Sequence, residues 1–394
     1  MIPEILKSEV QDFIEANIRK DISKLAFQKN PFLSIDYALL LNQIAAKSKS
    51  EHKLPTWFNS KGIVYPPKIS VEQTSSEDTA FYKSEIVSGE SLIDLTGGFG
   101  VDAYYFSKKM KSVVHCEMNT DLSEIAKHNF EVLKARNIEC FAGDSYEILQ
   151  KLDRKFDWIY IDPSRRSDVK GKVFLLKDCL PNVPELQESY FNYAENLLIK
   201  TAPILDLAAG LSELSNVRAI HILAVENEVK ELLWEISKNH QGKAAVKTVN
   251  LTKEKTEKLD FTLDEYEHAQ YGLPKKHLYE PNSAIMKSGF FDAVGNKFNL
   301  DKLHAHSHLY TSDELVDFPG RIFQIEEKIG YTKGEMKKFL SNKKANITTR
   351  NFPETVEHIR KKWKINDGGY LYCFFTTDMN NDKIVLLCTK IKTE

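Results

Sequence analysis

The sequence lacks a framework of cysteines. It has five in 394 residues, and no two of them form a C-x-x-C pair. Such scarcity argues against a disulfide scaffold and against a structural zinc site. It is typical of a protein of the reducing cytoplasm, which is the location we expect for this chain. The five are Cys116, Cys140, Cys179, Cys373 and Cys388.

Long apolar runs and an excess of charge are also missing. No apolar run approaches the roughly 20 residues that span a bilayer, and the N-terminal segment carries acids among its bases, unlike a secretory signal. The formal net charge is -2, so the whole chain has no nucleic-acid footprint. With 42% hydrophobic and 28% charged residues, the composition predicts a globular protein with no membrane partner. A length of 394 residues predicts two or three domains.

Residues 1–85 are predicted to form a helical N-terminal region. Apolar residues recur there at helical spacing, beginning with Ile5 and Val10. A second helix is predicted over residues 34–49, with Ser34 and Asp36 as candidate N-caps.

From about residue 91 the pattern changes to strands that alternate with helices. This alternation predicts a Rossmann-like, seven-stranded, doubly wound sheet over residues 86–252. The predicted strands are Leu92–Leu95, Val113–Cys116, Glu139–Ala142, Trp158–Ile161, Leu197–Lys200 or its continuation to Leu207, Ala219–Val225 and Ala245–Asn250. The helices between them include Asp121–Arg136 and Pro184–Asn196.

After about residue 252 the pattern of alternating strands and helices ends. Lys253–Lys258 is predicted to be a charged link that opens an accessory α+β region over residues 253–330. Residues 331–394 carry 13 Lys and Arg against 7 Asp and Glu, a local net charge of +6. They are predicted to form a small α+β module. Its elements are helix Tyr331–Leu340, strand Ala345–Thr349, helix Pro353–Trp363 and strands Tyr370–Thr376 and Lys383–Thr389, joined by a turn at Asp378–Asp382.

The most informative segment is Leu92–Asp102, which reads LIDLTGGFGVD. A buried strand ends there in an acid and leads through glycines into a helix. This strand–turn–helix pattern is typical of sites that bind a nucleotide ligand at the carboxyl edge of a parallel sheet. The glycines let the backbone approach the ligand, and the start of the helix supplies unpaired N–H groups. Gly98 to Ala103 also fits G-x-G-x-x-A, so a dinucleotide-dependent enzyme is one candidate.

Acids at the ends of successive strands favour a different ligand. Asp94 can meet the cationic amino group of an amino-acid ligand, whereas a pyrophosphate would be repelled by it. Glu117 can accept the two hydroxyls of a ribose, and Asp144 can accept the amino proton of an adenine. Asp162 and Pro163 end the fourth strand. Each acid taken singly is equally well a surface residue or a helix cap; the set of four is what indicates a site.

With these motifs, the chain resembles the class I S-adenosylmethionine-dependent methyltransferases. DLTGGFG, HCEMN, AGDS and IDPSRR are similar to the first four motifs of that family, and EQTSSEDTA to the segment that closes over the methionine part. The resemblance implies S-adenosyl-L-methionine as cofactor. The implied cofactor-binding residues are Asp94, Thr96, Gly97, Gly98, Gly100, Glu117, Met118, Asp144, Ser145, Gln73 and Ser76.

Over nearly its whole length the chain also resembles a bacterial RNA methyltransferase family with a THUMP-like C-terminal domain. Segments such as KHLYEPNSAIMKSG, DFPGRIF and KKANITTRNFP carry this likeness. It implies an RNA substrate, a ferredoxin-like character for residues 253–330 and a THUMP-like character for residues 331–394.

The IDPSRR segment predicts the catalytic residues. The carboxylate of Asp162 and the carbonyl of Pro163 can accept the two protons of an exocyclic amine and so expose its lone pair; a base in folded RNA would first be unstacked. IDPSRR is similar to the D-P-P-Y box of enzymes that methylate amino groups of bases, but Ser164 and Arg165 replace the second proline and the aromatic residue of that box. A ring nitrogen, a ribose or a protein side chain therefore remains an alternative target. Arg165 or Arg166 can stack on a base or pair with phosphate, although an internal ion pair with Asp168 is an equal alternative.

Other residues are predicted to bind substrate. Lys200 is a second candidate for the pocket wall, and a basic C-terminal cluster is predicted to contact RNA phosphates, with a solvated surface as the alternative. That cluster comprises Lys343, Lys344, Arg350, Arg360, Lys361 and Lys362. His304, His306 and His308 alternate as on one face of a strand, but no acid or cysteine completes a ligand set at familiar spacing. We therefore predict packing or hydrogen bonding for these histidines, and no metal.

The sequence as a whole predicts a cytoplasmic S-adenosylmethionine-dependent methyltransferase that modifies a base in structured RNA, ribosomal or transfer. A methyltransferase acting on a protein or a small molecule is the first alternative, and a non-catalytic RNA-binding protein on a methyltransferase fold is the second. A dehydrogenase comes third, because it leaves Asp94 and the Asp162 segment unexplained.

Overall fold

The computed structural model describes residues 2–165, 175–264 and 268–391. The chain divides into two compact units. The first comprises the residues up to Arg218 together with Leu232–Gly242, and the second comprises Ala219–Glu231 together with the residues from Lys243 onward. Within the described ranges, no helix is both long and apolar enough to cross a membrane.

The N-terminal region is helical, as predicted. The second long helix begins at Tyr37 because the carboxylate of Asp36 accepts a hydrogen bond from the backbone N–H of Ala38 at 2.7 Å, and it continues to Lys53, four residues beyond the predicted end. The helices are α1 (Ile2–Ile5), α2 (Ser8–Asn17), α3 (Ile22–Leu25), α4 (Tyr37–Lys53), α5 (Pro55–Asn59), α6 (Lys68–Gln73) and α7 (Glu77–Ile86).

The first unit is built on a doubly wound sheet. Its strands are β1 (Ser91–Asp94), β2 (Ser112–Glu117), β3 (Ile138–Ala142), β4 (Phe156–Ile161), β7 (Ala194–Thr201) and β9 (Glu228–Ser237), of which the residues from Leu232 onward belong to this unit. They follow the order β9-β7-β4-β1-β2-β3; β1 to β4 and β7 are parallel, and β9 runs antiparallel to β7. The helices are α8 (Val101–Ser107), α9 (Thr120–Val132), α10 (Ser145–Leu152), α11 (Val183–Tyr190) and α12 (Leu207–Glu213). A separate short ladder pairs β5 (Ser164–Arg165) with β6 (Cys179–Leu180), and Leu176–Asp178 form a 3₁₀ turn.

The central strands are mostly apolar because helices cover both faces of the sheet. In β4 the run from Trp158 to Ile161 is at most 2% exposed, and in β1 Leu92 and Ile93 are fully buried. The polar residues that end these strands therefore lie at the edge of a rigid platform.

All seven predicted strands are present, and the last of them, predicted over Ala245–Asn250, is β10 (Ala245–Leu251). The prediction missed β9, which reverses direction after the two-residue turn Glu226-Asn227. Both turn residues have positive φ, 49° and 63°, as a type I′ hairpin requires. Glutamate is an unusual residue there, and this is why the hairpin gave no sequence signal. Strand β7 also ends at Thr201, so its predicted continuation to Leu207 is wrong.

The second unit contains β8 (Val217–Val225) from Ala219 onward and the start of β9 as far as Glu231. They are joined by β10 and β11 (Thr256–Thr262) in the order β11-β10-β8-β9. The predicted link Lys253–Lys258 is therefore wrong. Thr252 to Lys255 form a tight turn closed by a 3.0 Å backbone hydrogen bond, and the following residues pair with β10.

A second, seven-stranded sheet follows the order β13-β14-β12-β15-β18-β17-β16. The predicted C-terminal elements are present within a few residues of their expected bounds, and the carboxylate of Asp378 accepts the N–H groups of Asn380 and Asp382 in the predicted turn. The strands are β12 (His277–Pro281), β13 (Asp301–Lys302), β14 (Tyr310–Ser312), β15 (Gly320–Gly330), β16 (Asn346–Arg350), β17 (Leu371–Thr377) and β18 (Lys383–Lys390). The helices are α13 (Ser283–Ser288), α14 (Phe291–Phe298), α15 (Lys333–Phe339) and α16 (Val356–Trp363).

Candidate cofactor and substrate site

The turn after β1 is fixed by a chain of hydrogen bonds that links two strand ends. The carboxylate of Asp94 accepts the backbone N–H of Thr96 at 2.9 Å. The hydroxyl of Thr96 in turn accepts the backbone N–H of Asp162 at 2.7 Å. Because β1 and β4 are parallel neighbours, this chain holds Asp162 beside the glycine turn.

The Asp94 carboxyl group lies inside the turn, at 1% exposure. Burial raises its pKa well above the usual value; the N–H of Thr96 acts against this, and the nearby carboxylates of Asp102, Asp162 and Glu117 add to it. The structure thus gives Asp94 a role in holding the turn. Its contact with a ligand stays a prediction.

The glycines are needed for two different reasons. At Gly97 a Cβ atom would lie 2.3 Å from Nε2 of His115, and at Gly100, where φ is +85°, it would lie 2.4 Å from the Phe130 ring. Gly98 has a φ of +55°, and its nearest neighbour would be the carbonyl of Thr96 at 3.9 Å. The two outer glycines therefore allow close packing, whereas the space next to Gly98 is open.

Glu117, at the end of β2, supports the same turn. One of its carboxylate oxygens accepts the N–H of Gly98 at 2.9 Å, and the other accepts the N–H of Asn119 at 2.8 Å. Each carboxylate oxygen has two lone pairs, so both can still accept a hydroxyl. The next residue, Met118, is 70% exposed, as an apolar wall of a ligand site would be.

The other predicted cofactor-binding residues act as helix caps or lie at helix ends. Asp144 is the N-cap of α10 and accepts the N–H groups of Tyr146 and Glu147 at 2.9 and 3.0 Å, while Ser145 begins that helix. Ser76 is the N-cap of α7, and Gln73 is the exposed last residue of α6. The capping alternative left open for Asp144 is therefore realised, and its contact with an adenine stays a prediction.

A buried ion pair between α7 and α8 was not foreseen. The ammonium of Lys83, which is fully buried, lies 3.0 Å from Oδ1 of Asp102 and donates to the hydroxyl of Ser75 at 2.7 Å. Ser75 and the hydroxyl of Tyr160 both donate to Oδ2 of Asp102, at 2.8 and 2.9 Å. Burial acts to raise the pKa of Asp102, but the positive charges of Lys83 and Lys200 outweigh it and hold that pKa below its usual value.

Asp162 and Lys200 meet at the edge of the sheet. Strands β4 and β7 are parallel neighbours with Ile161 opposite Ile199, so the next residues of both strands lie side by side. The ammonium of Lys200 forms an ion pair with Oδ2 of Asp162; the lysine side chain is 13% exposed and the aspartate side chain 36%. Asp162 thus remains open to a substrate while Lys200 fixes its orientation.

The remainder of the IDPSRR segment is described only in part. Pro163 is buried. The backbone of Arg165 pairs with Cys179 in the β5–β6 ladder, and Arg166 lies outside the described residues. The predicted substrate contacts of the two arginines stay predictions.

The members of the predicted basic C-terminal cluster differ in whether a carboxylate is paired with them. Arg360 is paired with Asp367 at 2.5 Å, and Arg350 is paired at 2.9 Å with Glu280, which it shares with Arg321. Lys343, Lys344 and Lys361 are exposed.

The three histidines lie in the turn between β13 and β14, so the predicted strand face is wrong. His304 meets the side chains of Asn351 and Asn381 at 2.9 and 3.2 Å, and the ring of His308 stacks on Phe291 with 3.5 Å between centroids. In the described part of the chain, no group of three or more His, Cys, Asp or Glu residues could hold a metal ion.

The sheet order and the acid-bearing glycine turn are those of the class I methyltransferase fold, which confirms the predicted fold class. The crystal structure of a "putative methyltransferase" from Porphyromonas gingivalis W83 has this architecture over 99% of both chains, with a TM-score of 0.88 and 29% sequence identity. Residues 277–319 match a ferredoxin-like domain family and residues 320–390 a THUMP domain-like family. The chain therefore carries the THUMP-like domain that the sequence resemblance predicted.

Two curated relatives are similar to short parts of the chain. An uncharacterized RNA methyltransferase of Mycoplasma mobile is 33% identical over 84 residues, which are 21% of this chain and 23% of the relative. An uncharacterized RNA methyltransferase of Clostridium acetobutylicum is 30% identical over 99 residues, 24% of this chain and 22% of the relative. The matched segments thus span less than a quarter of either relative.

Proposed function

We propose that this chain is an S-adenosyl-L-methionine-dependent methyltransferase that modifies a base in RNA. The observation that carries the proposal is the hydrogen-bonded edge that joins Asp94, Glu117 and Asp162 to the glycine turn, where the space next to Gly98 is open. The names of the two relatives with short matched segments and of the structural neighbour matched over its full length agree with it.

The residues at this edge fit the cofactor. Its sulfonium supplies an electrophilic methyl group. Glu117 accepts the ribose hydroxyls, and Gly98, whose side of the turn is open, lets the backbone lie close to the ligand. Asp94 balances the amino group of the methionine part, and Asp144 with Ser145 contacts the adenine. Gln73, Ser76, Thr96, Gly97, Gly100 and Met118 complete the binding surface.

Asp162 and Pro163 are the proposed acceptors for the protons of the target amine. Lys200 acts as a positioning residue, because its ion pair holds the Asp162 carboxylate toward one side. The protein does not need to activate the methyl donor, since a sulfonium already reacts readily with a positioned nucleophile. Its contribution is to orient the target amine and to accept the amine protons. Arg165 contacts the base or a neighbouring phosphate.

The proposed substrate is a structured RNA, ribosomal or transfer, met in the cytoplasm. Two features support this choice. The net charge of +6 over residues 331–394 attracts a polyanion, and residues 320–390 match the THUMP-like family. The described cysteines are all free thiols, in keeping with a reducing compartment.

The test is methyl transfer to RNA. The purified protein is incubated with cofactor carrying a tritiated methyl group and with bulk ribosomal or transfer RNA, and label in the RNA is counted. We expect transfer by the wild type and its loss in Asp162→Asn, which keeps the shape but weakens the acceptor. Cofactor binding should be retained in this variant. Transfer that persists in Asp162→Asn would exclude the proposed acceptor, and label that enters protein instead of RNA would exclude the proposed substrate.

A further inference from the structure

A basic cleft in the second unit shares Lys362 with the predicted RNA-binding cluster, and its other lysines lie outside that cluster. It has a volume of about 460 Å³ and lies between α15, with the turn that follows it, and the C-terminal end of α16. Four lysines line it, together with Tyr331 and Trp363. They are Lys333, Lys337, Lys362 and Lys364.

Most of the positive charge in this cleft is uncompensated. Lys362 is paired with Glu354 at 2.9 Å and donates to the Tyr331 hydroxyl at 3.1 Å. For Lys333, Lys337 and Lys364, no carboxylate of the described residues lies within ion-pair distance, and all three side chains are exposed. Three lysines thus face one concavity without counter-charge, an arrangement that attracts an anion.

The walls of the cleft are fixed by internal contacts. The indole N–H of Trp363 donates to the hydroxyl of Tyr331 at 3.2 Å, and the two rings meet edge to face. The backbone N–H of Asn342 donates to the carbonyl of Trp363 at 3.2 Å, so that the last turn of α16 is tied to the turn after α15. The lysines are therefore carried on a preformed surface.

Lys364 occupies a backbone position that lysine rarely takes. It follows the last residue of α16 with a φ of +54°, in the left-handed region where glycine or asparagine is the usual residue. A lysine there costs backbone strain. A use for its side chain at the cleft would account for its presence.

We propose that this cleft binds phosphate groups of an RNA backbone. This inference rests on the proposed function and deepens it by assigning the contact to the four lysines of the cleft, of which only Lys362 belongs to the predicted cluster. Lysine ammonium groups bind phosphate as point charges without a fixed fork geometry. Such contacts position an RNA without reading its sequence. An acidic protein is the competing partner, and the test separates the two.

The experiment compares two variants with equal loss of charge. Lys333→Ala/Lys337→Ala removes two lysines of the cleft, and Lys343→Ala/Lys344→Ala removes two exposed lysines of the predicted cluster that do not line it. Binding of bulk transfer RNA to the full chain is measured at about 50 and 200 mM salt. Each phosphate contact contributes a slope of about 0.7–0.9 to the dependence of log affinity on log salt. The loss of affinity between these two salt concentrations should therefore be about tenfold smaller in the cleft variant than in the wild type, and unchanged in the control.

Three results would overturn the inference. The first is an equal or larger effect in the control variant, and the second is no binding of RNA by the wild type at either salt concentration. The third is displacement of the RNA by polyglutamate at equal charge concentration, which would identify an acidic polypeptide as the partner. Calorimetric binding of S-adenosylmethionine to both variants separates this inference from the proposed function. If cofactor binds and methyl transfer occurs while the two variants bind RNA alike, only the cleft assignment fails. If no cofactor binds but the cleft variant alone loses RNA affinity, only the proposed activity fails.

Discussion

The buried Lys83–Asp102 ion pair should be among the largest single contributions to the stability of the first unit. In Lys83→Met the apolar stem is kept and the ammonium is lost. The Asp102 side chain, only 11% exposed, would then keep two hydroxyl donors and the more distant charge of Lys200, but it would lose the ammonium in direct contact with it. Breaking a buried pair on one side costs about 3–5 kcal/mol, and we expect Lys83→Met to lower the free energy of unfolding by that amount.

Two further variants show that charge is the cause. Lys83→Met/Asp102→Asn removes both charges, and because Tyr160 and Ser75 can still donate to the amide oxygen, most of the lost stability should return. The surface pair Lys109–Glu85 also links the α7 and α8 region, at 2.5 Å, but its side chains are 43% and 46% exposed. Lys109→Met should therefore cost less than about 1 kcal/mol.

The assay is urea unfolding followed by circular dichroism over a range of pH. The folded-state pKa of Asp102 is lowered, so its contribution to stability is complete above the unfolded pKa of about 3.9 and is lost as the pH falls through the folded-state value. The double variant should lack this loss. A cost below about 1 kcal/mol for Lys83→Met, or a double variant no more stable than the single one, would refute the reasoning.

Three further predictions concern the glycine turn. Burial lowers the pKa of His115 from 6.5 to about 4. The free energy of unfolding should therefore fall by about 3 kcal/mol as the pH drops from about 6.5 to about 4. His115→Phe should lack this fall when it is measured by urea unfolding. The pKa of Asp94 is raised by burial, so the wild type should lose stability as the pH rises from about 3.9 through the folded-state value. Asp94→Asn should show no such loss and should be the more stable protein at neutral pH. Equal pH profiles of stability for the two proteins would contradict the burial of this carboxyl group. Gly100→Ala places a methyl group against Phe130 at a φ of +85° and should cost at least about 1–2 kcal/mol, whereas Gly334→Ala, which meets nothing within 4 Å, should be neutral or stabilising in the same unfolding measurement.

Strands that carry their own signal could be predicted from the sequence. The apolar runs of β1 and β4 are long enough to be recognised because both faces of the sheet are covered. Strand β9 could not be recognised, because its hairpin turn uses Glu226-Asn227 instead of a glycine turn, and the charged start of β11 resembles a linker. Tertiary pairing, which the local sequence does not encode, decided both cases.

The residues of the candidate site likewise include some that could be predicted from the sequence and some that could not. Asp94, Glu117 and Asp162 could be predicted because each directly follows a strand, and strand ends of a parallel sheet meet at one edge. The Lys83–Asp102 pair could not, since nothing in the spacing of the two residues indicates that α7 and α8 bring them together. The grouping of Lys333 with Lys364 likewise depends on how α15 and α16 pack, whereas the predicted cluster followed adjacency in the sequence.

Calorimetric titration with S-adenosylmethionine, with NAD as comparator, tests the central claim most directly. The account predicts saturable binding of S-adenosylmethionine alone, strongly weakened in Glu117→Ala and retained in Asp162→Asn. Binding of NAD alone, or binding of S-adenosylmethionine that Glu117→Ala leaves unchanged, would contradict it.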